Sequence, residues 1–106
     1  MCAFVCNPLM PKKHAFASAL TFVPNKNGRL DLDALKTALN GGVASLILQS
    51  PNYFGVIEDV PAIAELVHAA GAKLVLSMNP TAMALLKSPG ELGADVAIGE
   101  GQPLGI

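Results

Sequence analysis

Two apolar runs, 43–48 (VASLIL) and 73–78 (KLVLSM), constrain the fold of this chain more than any other feature. Each has the length of a strand, and neither alternates strictly. The pattern predicts two strands buried on both faces. Between them lies a full set of helix signals. Asp59 is an N-cap candidate, and Pro61 fits the first turn, where its missing N–H costs nothing. Gly71 stands where a helix wants a left-handed residue. Val60, Ile63, Leu66, Val67 and Ala70 fall on one stripe of a 3.6-residue period, with Glu65 and His68 off it. Strand, helix, strand in this order is a βαβ unit with parallel strands.

The flanking sequence extends that pattern. Asp31 can cap a helix over 31–40 whose apolar face is Leu32, Leu35, Ala38 and Leu39, and Gly41-Gly42 ends it. Asn27-Gly28 is a turn signal. Residues 3–6, 19–23 and 95–98 read as shorter strands. Residues 81–87 read as a short helix broken by Ser88-Pro89-Gly90. Between Asn7 and Ala19, two prolines and the Lys12-Lys13 pair leave little room for a crossover helix. The expected fold is α/β and three-layered. Its sheet is mainly parallel, with three or four strands including 43–48, 73–78 and 95–98, and its helices lie at 31–40 and 59–70.

Composition narrows the function classes. With 106 residues there is room for one domain, which can bury roughly two-thirds of its unfolded surface. Disorder is excluded, because 52% of residues are hydrophobic and 14% charged. The net charge of -1 includes no basic stripe, and aromatics make up 5%. Nucleic acid is therefore not an expected partner. The longest uncharged run, 37–57, is interrupted by glycines, Pro51 and polar residues, so it does not read as a membrane span. The N-terminus lacks a basic region ahead of its apolar stretch. A soluble, cytoplasmic chain is the expectation. Cys2 and Cys6 cannot staple a scaffold, and two thiolates leave a tetrahedral metal site half empty, so they read as reduced, buried thiols.

In open parallel sheets ligands bind beyond the carboxyl ends of the strands. The loops predicted there are Asn7-Pro8, Ser50-Pro51-Asn52 (running to Gly55), Asn79-Pro80 and Gly99-Glu100-Gly101-Gln102. The run Gly99-x-Gly101-x-x-x-Gly105 loosely resembles a dinucleotide loop, but Pro103 interrupts it and no helix follows. His14 and His68 have no evident triad partner and read as surface residues. Glu58 and Asp59 are adjacent, so they point apart and favour the helix dipole rather than form an acid/base pair. Lys73 opens a strand and Lys87 ends a helix. Neither stands where a Schiff-base lysine would be needed.

Three stretches carry a resemblance beyond these patterns: PNYFGVIEDV at 51–60, LLKSPGELGAD at 85–95 and GEGQPLG at 99–105. Their order and spacing closely resemble the P-proteins of the glycine cleavage system, in the form of subunit 1 (alpha) of glycine dehydrogenase (decarboxylating). The likeness continues more weakly through LDLDALKTAL at 30–39 and is poor before about Thr21. It implies that residues 1–106 are a fragment of the large domain of a fold-type-I, PLP-dependent transferase. It also implies a reaction, glycine cleavage to CO2 with the aminomethyl group passed to a lipoyl carrier protein.

In this family PLP is held by a lysine of subunit 2 (beta), the expected partner. An active subunit would offer Asp to the pyridine nitrogen where this chain has Asn79. It would carry lysine in the loop that here reads Gly99-Glu100-Gly101-Gln102-Pro103. Asn brings no full negative charge to a pyridinium and Gln forms no Schiff base, so the implied role is the subunit without PLP. No catalytic, cofactor-binding or metal residue is then expected in this chain. Pro51, Asn52, Gly55, Asn79, Pro80 and 99–102 become a partner-facing edge. Two other readings stand beside this one: a small stand-alone module binding phosphate through the Gly99–Gly105 loop, and an inert truncated product.

Overall fold

The computed structural model describes residues 3–7 and 19–105, with 3–7 and Ala19 described by their backbone alone. Cys2, His14, the Cys6 side chain and the 8–18 connection lie outside the described residues. The elements in chain order are β1 (Ala3–Asn7), β2 (Ala19–Phe22), β3 (Asn25–Lys26), β4 (Arg29–Leu30) and α1 (Leu32–Leu39). They continue as β5 (Ser45–Gln49), α2 (Val60–Ala69), β6 (Lys73–Ser77) and β7 (Val96–Ile98). Two 3-10 helices, Pro80–Ala84 and Gln102–Leu104, flank β7.

The helix ends follow from local chemistry. Asp31 Oδ1 accepts from the backbone N–H groups of Asp33 (3.0 Å) and Ala34 (3.2 Å), which otherwise lack partners at the start of α1. Asp59 does the same for Ala62 at the start of α2. Gly71 closes α2 at φ +75. Its N–H reaches the His68 carbonyl, and the Ala72 N–H reaches that of Val67, the paired bonds of a Schellman cap. Leu35 and Leu39 of α1 are buried as the stripe predicts. Leu32, at the first helical position, is exposed. The short helix expected over 81–87 forms as a 3-10 helix over Pro80–Ala84 and stops before Lys87. Asn79 caps this five-residue helix, and Ser88-Pro89-Gly90 leaves no length for more than a turn or two.

The larger sheet has the order β2-β1-β5-β6-β7. As expected, β5 and β6 are parallel, in register from Ser45 opposite Lys73 to Gln49 opposite Ser77. β7 continues parallel to β6. The N-terminal strands add what the sequence pattern did not contain: β1 lies antiparallel to both β5 and β2. The sheet is therefore mixed, with its parallel half made by β5, β6 and β7. Asn27 and Gly28, both at positive φ, form the two-residue turn of the small β3–β4 hairpin.

The apolar runs were expected to be covered on both faces. Leu46, Leu48, Leu74 and Leu76 are fully buried and join Leu35, Ile63 and Val67 in one core. Each such side chain contributes about 2 kcal/mol through its burial. The alternate residues Ile47 and Val75 are only half-buried, and Val96 and Ile98 are exposed. The expected α/β class is borne out, with the described helical core packed on the sheet face that carries Leu46, Leu48, Leu74 and Leu76.

Candidate functional site

The parallel half of the sheet brings the carboxyl ends of β5, β6 and β7 side by side. They frame a cleft of about 360 Å³ lined by Gln49, Ser77, Met78, Asn79, Ile98, Gly99, Glu100 and Pro103. Asn79, Gly99 and Glu100 of the predicted edge line it directly. Pro80, Gly101 and Gln102 belong to the 3-10 turns beside it. Gly99 allows a close backbone approach, since a Cβ there would lie 3.0 Å from the Met78 carbonyl oxygen. Asn79 is locally committed. Its Oδ1 accepts from the Thr81 N–H (3.0 Å) and the Thr81 hydroxyl (2.7 Å). Gly99 leads into a three-residue 3-10 turn rather than an α-helix, so the Gly99–Gly105 loop has no helix N-terminus to offer a phosphate.

One expectation about this edge is corrected. Asn7 ends β1 at the opposite edge, because β1 runs antiparallel to β5 with Cys6 opposite Ser45. Asn52, expected on the partner-facing edge, is held inside its own loop. It is buried, and its amide Nδ2 donates to the Gly28 carbonyl (2.7 Å) and to Glu58 Oε1 (2.8 Å). Its Oδ1 accepts from the N–H groups of Phe54 (2.9 Å) and Val56 (3.1 Å). Gly55, at φ +75, closes the same loop through its N–H to the Asn52 carbonyl.

Glu58 also departs from the helix-dipole reading. The residue is buried, and Oε1 accepts from the Leu30 N–H at 3.0 Å as well as from Asn52. Its own N–H donates to Ser50 Oγ. Asp59 alone of the pair serves the helix start.

A polar cluster absent from the sequence reading sits at the amino edge. His68, expected to face water alone, places Nε2 2.8 Å from Asp95 Oδ2. Lys73 Nζ lies 3.3 Å from Asp95 Oδ1, and the Leu74 N–H donates to Oδ2 at 2.8 Å. The Leu74 N–H, then His68, then Lys73 hold the Asp95 carboxyl at a pKa of about 2, below its ordinary value of 3.8. Near β7, the Ser88 hydroxyl and N–H hold the Glu91 carboxyl below its usual range. No sequence signal joins His68 to Asp95, which lie 27 residues apart on different elements.

Among the described residues, no lysine lines the carboxyl-edge cleft, no group of His, Cys, Asp and Glu could hold a metal, and no helix is long and apolar enough to cross a membrane. Lys73 stands at the far edge of the sheet, and Lys87 borders a separate apolar cleft.

These features define an α/β sheet unit with a polar cleft beyond the carboxyl ends of its parallel strands. Residues 21–106 match the family model of the glycine cleavage system P-protein. The chain is 52% identical over 83 residues to a probable glycine dehydrogenase (decarboxylating) subunit 1 of Desulfitobacterium hafniense, covering 78% of this chain and 19% of that protein. The corresponding protein of Syntrophomonas wolfei is 41% identical over 96 residues, 89% of this chain and 22% of its own length. A crystal structure of glycine decarboxylase (P-protein) of the glycine cleavage system, in inhibitor-bound form, matches with a TM-score of 0.69. It shares 38% identity, over 79% of this chain and 18% of its own. The chain belongs to the glycine cleavage system P-protein family. It spans about a fifth of the length of these relatives.

Proposed function

We propose that residues 1–106 form part of the PLP-transferase-type large domain of a glycine dehydrogenase (decarboxylating) subunit 1, the subunit that does not itself carry PLP. In this reading the whole protein is a cytoplasmic oxidoreductase of glycine catabolism. It releases CO2 from glycine and delivers the aminomethyl group to a lipoyl carrier protein, with PLP held by subunit 2. The observation that carries it is the 52% identity to a subunit 1 protein across most of this chain. The cleft chemistry agrees. Its polar side chains are Gln49, Ser77, Asn79 and Glu100, a set that supplies no amine for a Schiff base and no free carboxylate on β6 for a pyridinium. That set does not fit a PLP site, and the polar edge instead suits contact with subunit 2.

Two measurements test this. The purified chain is mixed with PLP and borohydride and assayed for exchange of the glycine carboxyl carbon with bicarbonate. It is then passed over immobilised subunit 2. The expected result is no reduced adduct, no exchange and retention of the chain by subunit 2. A borohydride-stable adduct on Lys73 or Lys87 overturns the cofactor assignment. Exchange in the absence of subunit 2 overturns the assignment of catalysis to the partner.

A further inference from the structure

Asn-Gly occurs twice in the chain, at Asn27-Gly28 and Asn40-Gly41, and the fold treats the two pairs differently. The dipeptide is open to self-modification, because glycine has no side chain to keep its amide nitrogen away from the preceding carboxamide. Reaction requires that nitrogen to reach Asn Cγ. It therefore requires a backbone free to rotate about ψ of the Asn.

Asn27-Gly28 lacks that freedom. It is the turn of the β3–β4 hairpin, bracketed by the pairing of Lys26 with Arg29. The Gly28 carbonyl accepts from the buried Asn52 amide at 2.7 Å, and a Cβ on Gly28 would lie 3.8 Å from both Phe54 and Val56. Asn40-Gly41 has the freedom. Asn40 is the exposed C-cap of α1, at φ -67 and ψ -11, and its N–H donates to the Thr37 carbonyl at 3.3 Å. Among the described residues neither its carboxamide nor the Gly41 N–H has a hydrogen-bond partner. Rotation about ψ moves the chain that follows, and there Gly41 and Gly42 are exposed. A Cβ on Gly42 would meet nothing within 4 Å. A helix end of this kind opens locally at little cost.

We propose that Asn40-Gly41 is a site of spontaneous modification, at which the Asn40 carboxamide becomes an acid through a cyclic imide with Gly41, while the hairpin keeps Asn27 intact. Solvent base takes the Gly41 amide proton, and the nitrogen attacks Asn40 Cγ. The new N–Cγ bond replaces the Cγ–Nδ2 bond, and ammonia leaves. Water, the only co-reactant, then opens the ring at either carbonyl. One opening leaves an aspartyl residue at position 40. The other routes the main chain through the side-chain carboxyl, an isoaspartyl linkage that lengthens the connection to β5. Both products place a negative charge at the C-terminal end of α1, where the helix dipole opposes it. Lys36, which lines the same shallow groove between the ends of α1 and α2, offsets that charge in part.

The test incubates the folded chain in mildly alkaline buffer and follows each Asn by peptide mass mapping, with isoaspartyl methyltransferase labelling to find the lengthened linkage. The same chain in concentrated urea, where the hairpin is gone, gives the reference. In the folded chain Asn40 should convert at least about tenfold faster than Asn27, and the two rates should draw together in urea. The Cβ added by Gly41→Ala would meet only the Ala38 carbonyl oxygen, at 3.7 Å, so this variant should fold. It should slow conversion at position 40 by about tenfold or more and leave Asn27 unchanged. Conversion of Asn27 as fast as that of Asn40 in the folded chain overturns the proposal. So does a ratio of rates that is the same in urea as in buffer, since the fold then protects nothing. A rate at position 40 that Gly41→Ala leaves unchanged overturns it too, because the Gly41 nitrogen would not be the nucleophile.

Discussion

The loops that follow β5 and β7 leave the same edge of the sheet, yet they are built in opposite ways. Residues 50–59 are tied down from within. Asn52 makes four side-chain hydrogen bonds, Ser50 receives the Glu58 N–H, and Glu58 reaches across to Leu30. Residues 99–105 are held by backbone turns, Leu104 N–H to the Gly101 carbonyl and Gly105 N–H to that of Gln102. Their side chains stand largely in solvent. Both loops contain words that mark the family. The first is a fold-building word, since most of its polar groups are consumed by the loop and the β3–β4 hairpin. The second leaves its polar groups free to meet something else.

The largest expected effect sharpens that contrast from the side of the first loop. Asn52→Ala removes two donated and two accepted bonds at a buried position and strips Glu58 of a partner. A loss of about 3 kcal/mol is expected, measured as a lower midpoint in urea unfolding. An effect on the scale of a surface substitution would mean the loop is not bracketed in solution. Gly99→Ala probes the second loop at the one point where it is sterically tight. Its Cβ would press on the Met78 backbone carbonyl, which cannot yield as a side-chain tip would. A loss of about 1–2 kcal/mol is expected by the same measurement.

The amino edge supplies a third, smaller comparison. Asp95 has a pKa of about 2 in the folded chain against 3.8 as its ordinary value. The folded value is the lower one, so the unfolded chain binds the proton more readily. The stabilisation from Asp95 is therefore complete above about pH 5 and is lost as the pH falls from about 4 through 2. The wild-type urea midpoint should fall over that window relative to Asp95→Asn. Parallel profiles for the two proteins would show that the cluster with Leu74, His68 and Lys73 does not form.

What could be read from the sequence divides along the same line as the loops. Caps at Asp31, Asp59 and Gly71 depend on groups within five residues, and all three form as read. The parallel pairing of β5 with β6 follows from a helix-length connection. The direction of β1 was not legible, since local apolar content carries no information about orientation in the sheet. Glu58 and His68 were misplaced because their partners, Leu30 and Asp95, lie 28 and 27 residues away. At the candidate site the convergence of Asn79, Gly99 and Glu100 followed from topology. The burial of Asn52 did not, since an Asn after Pro reads equally well as an exposed turn.

The smallest effect on stability is the most informative about function. Glu100 lines the carboxyl-edge cleft and is exposed, so Glu100→Ala should change the urea midpoint by no more than about 0.5 kcal/mol. If the loop of 99–105 is free because a partner uses it, the same substitution should weaken retention on immobilised subunit 2. A carboxylate contributes to such a contact through charge complementarity, so the loss should grow smaller as salt is raised and screens the wild-type contact. Asn52→Ala provides the counterpart, reducing retention only as far as it reduces the folded fraction. Two variants on one edge would then separate a loop that builds the fold from a loop that meets a partner. Unchanged retention of Glu100→Ala at low salt would remove the partner-facing role from this loop and leave the cleft without an assigned function.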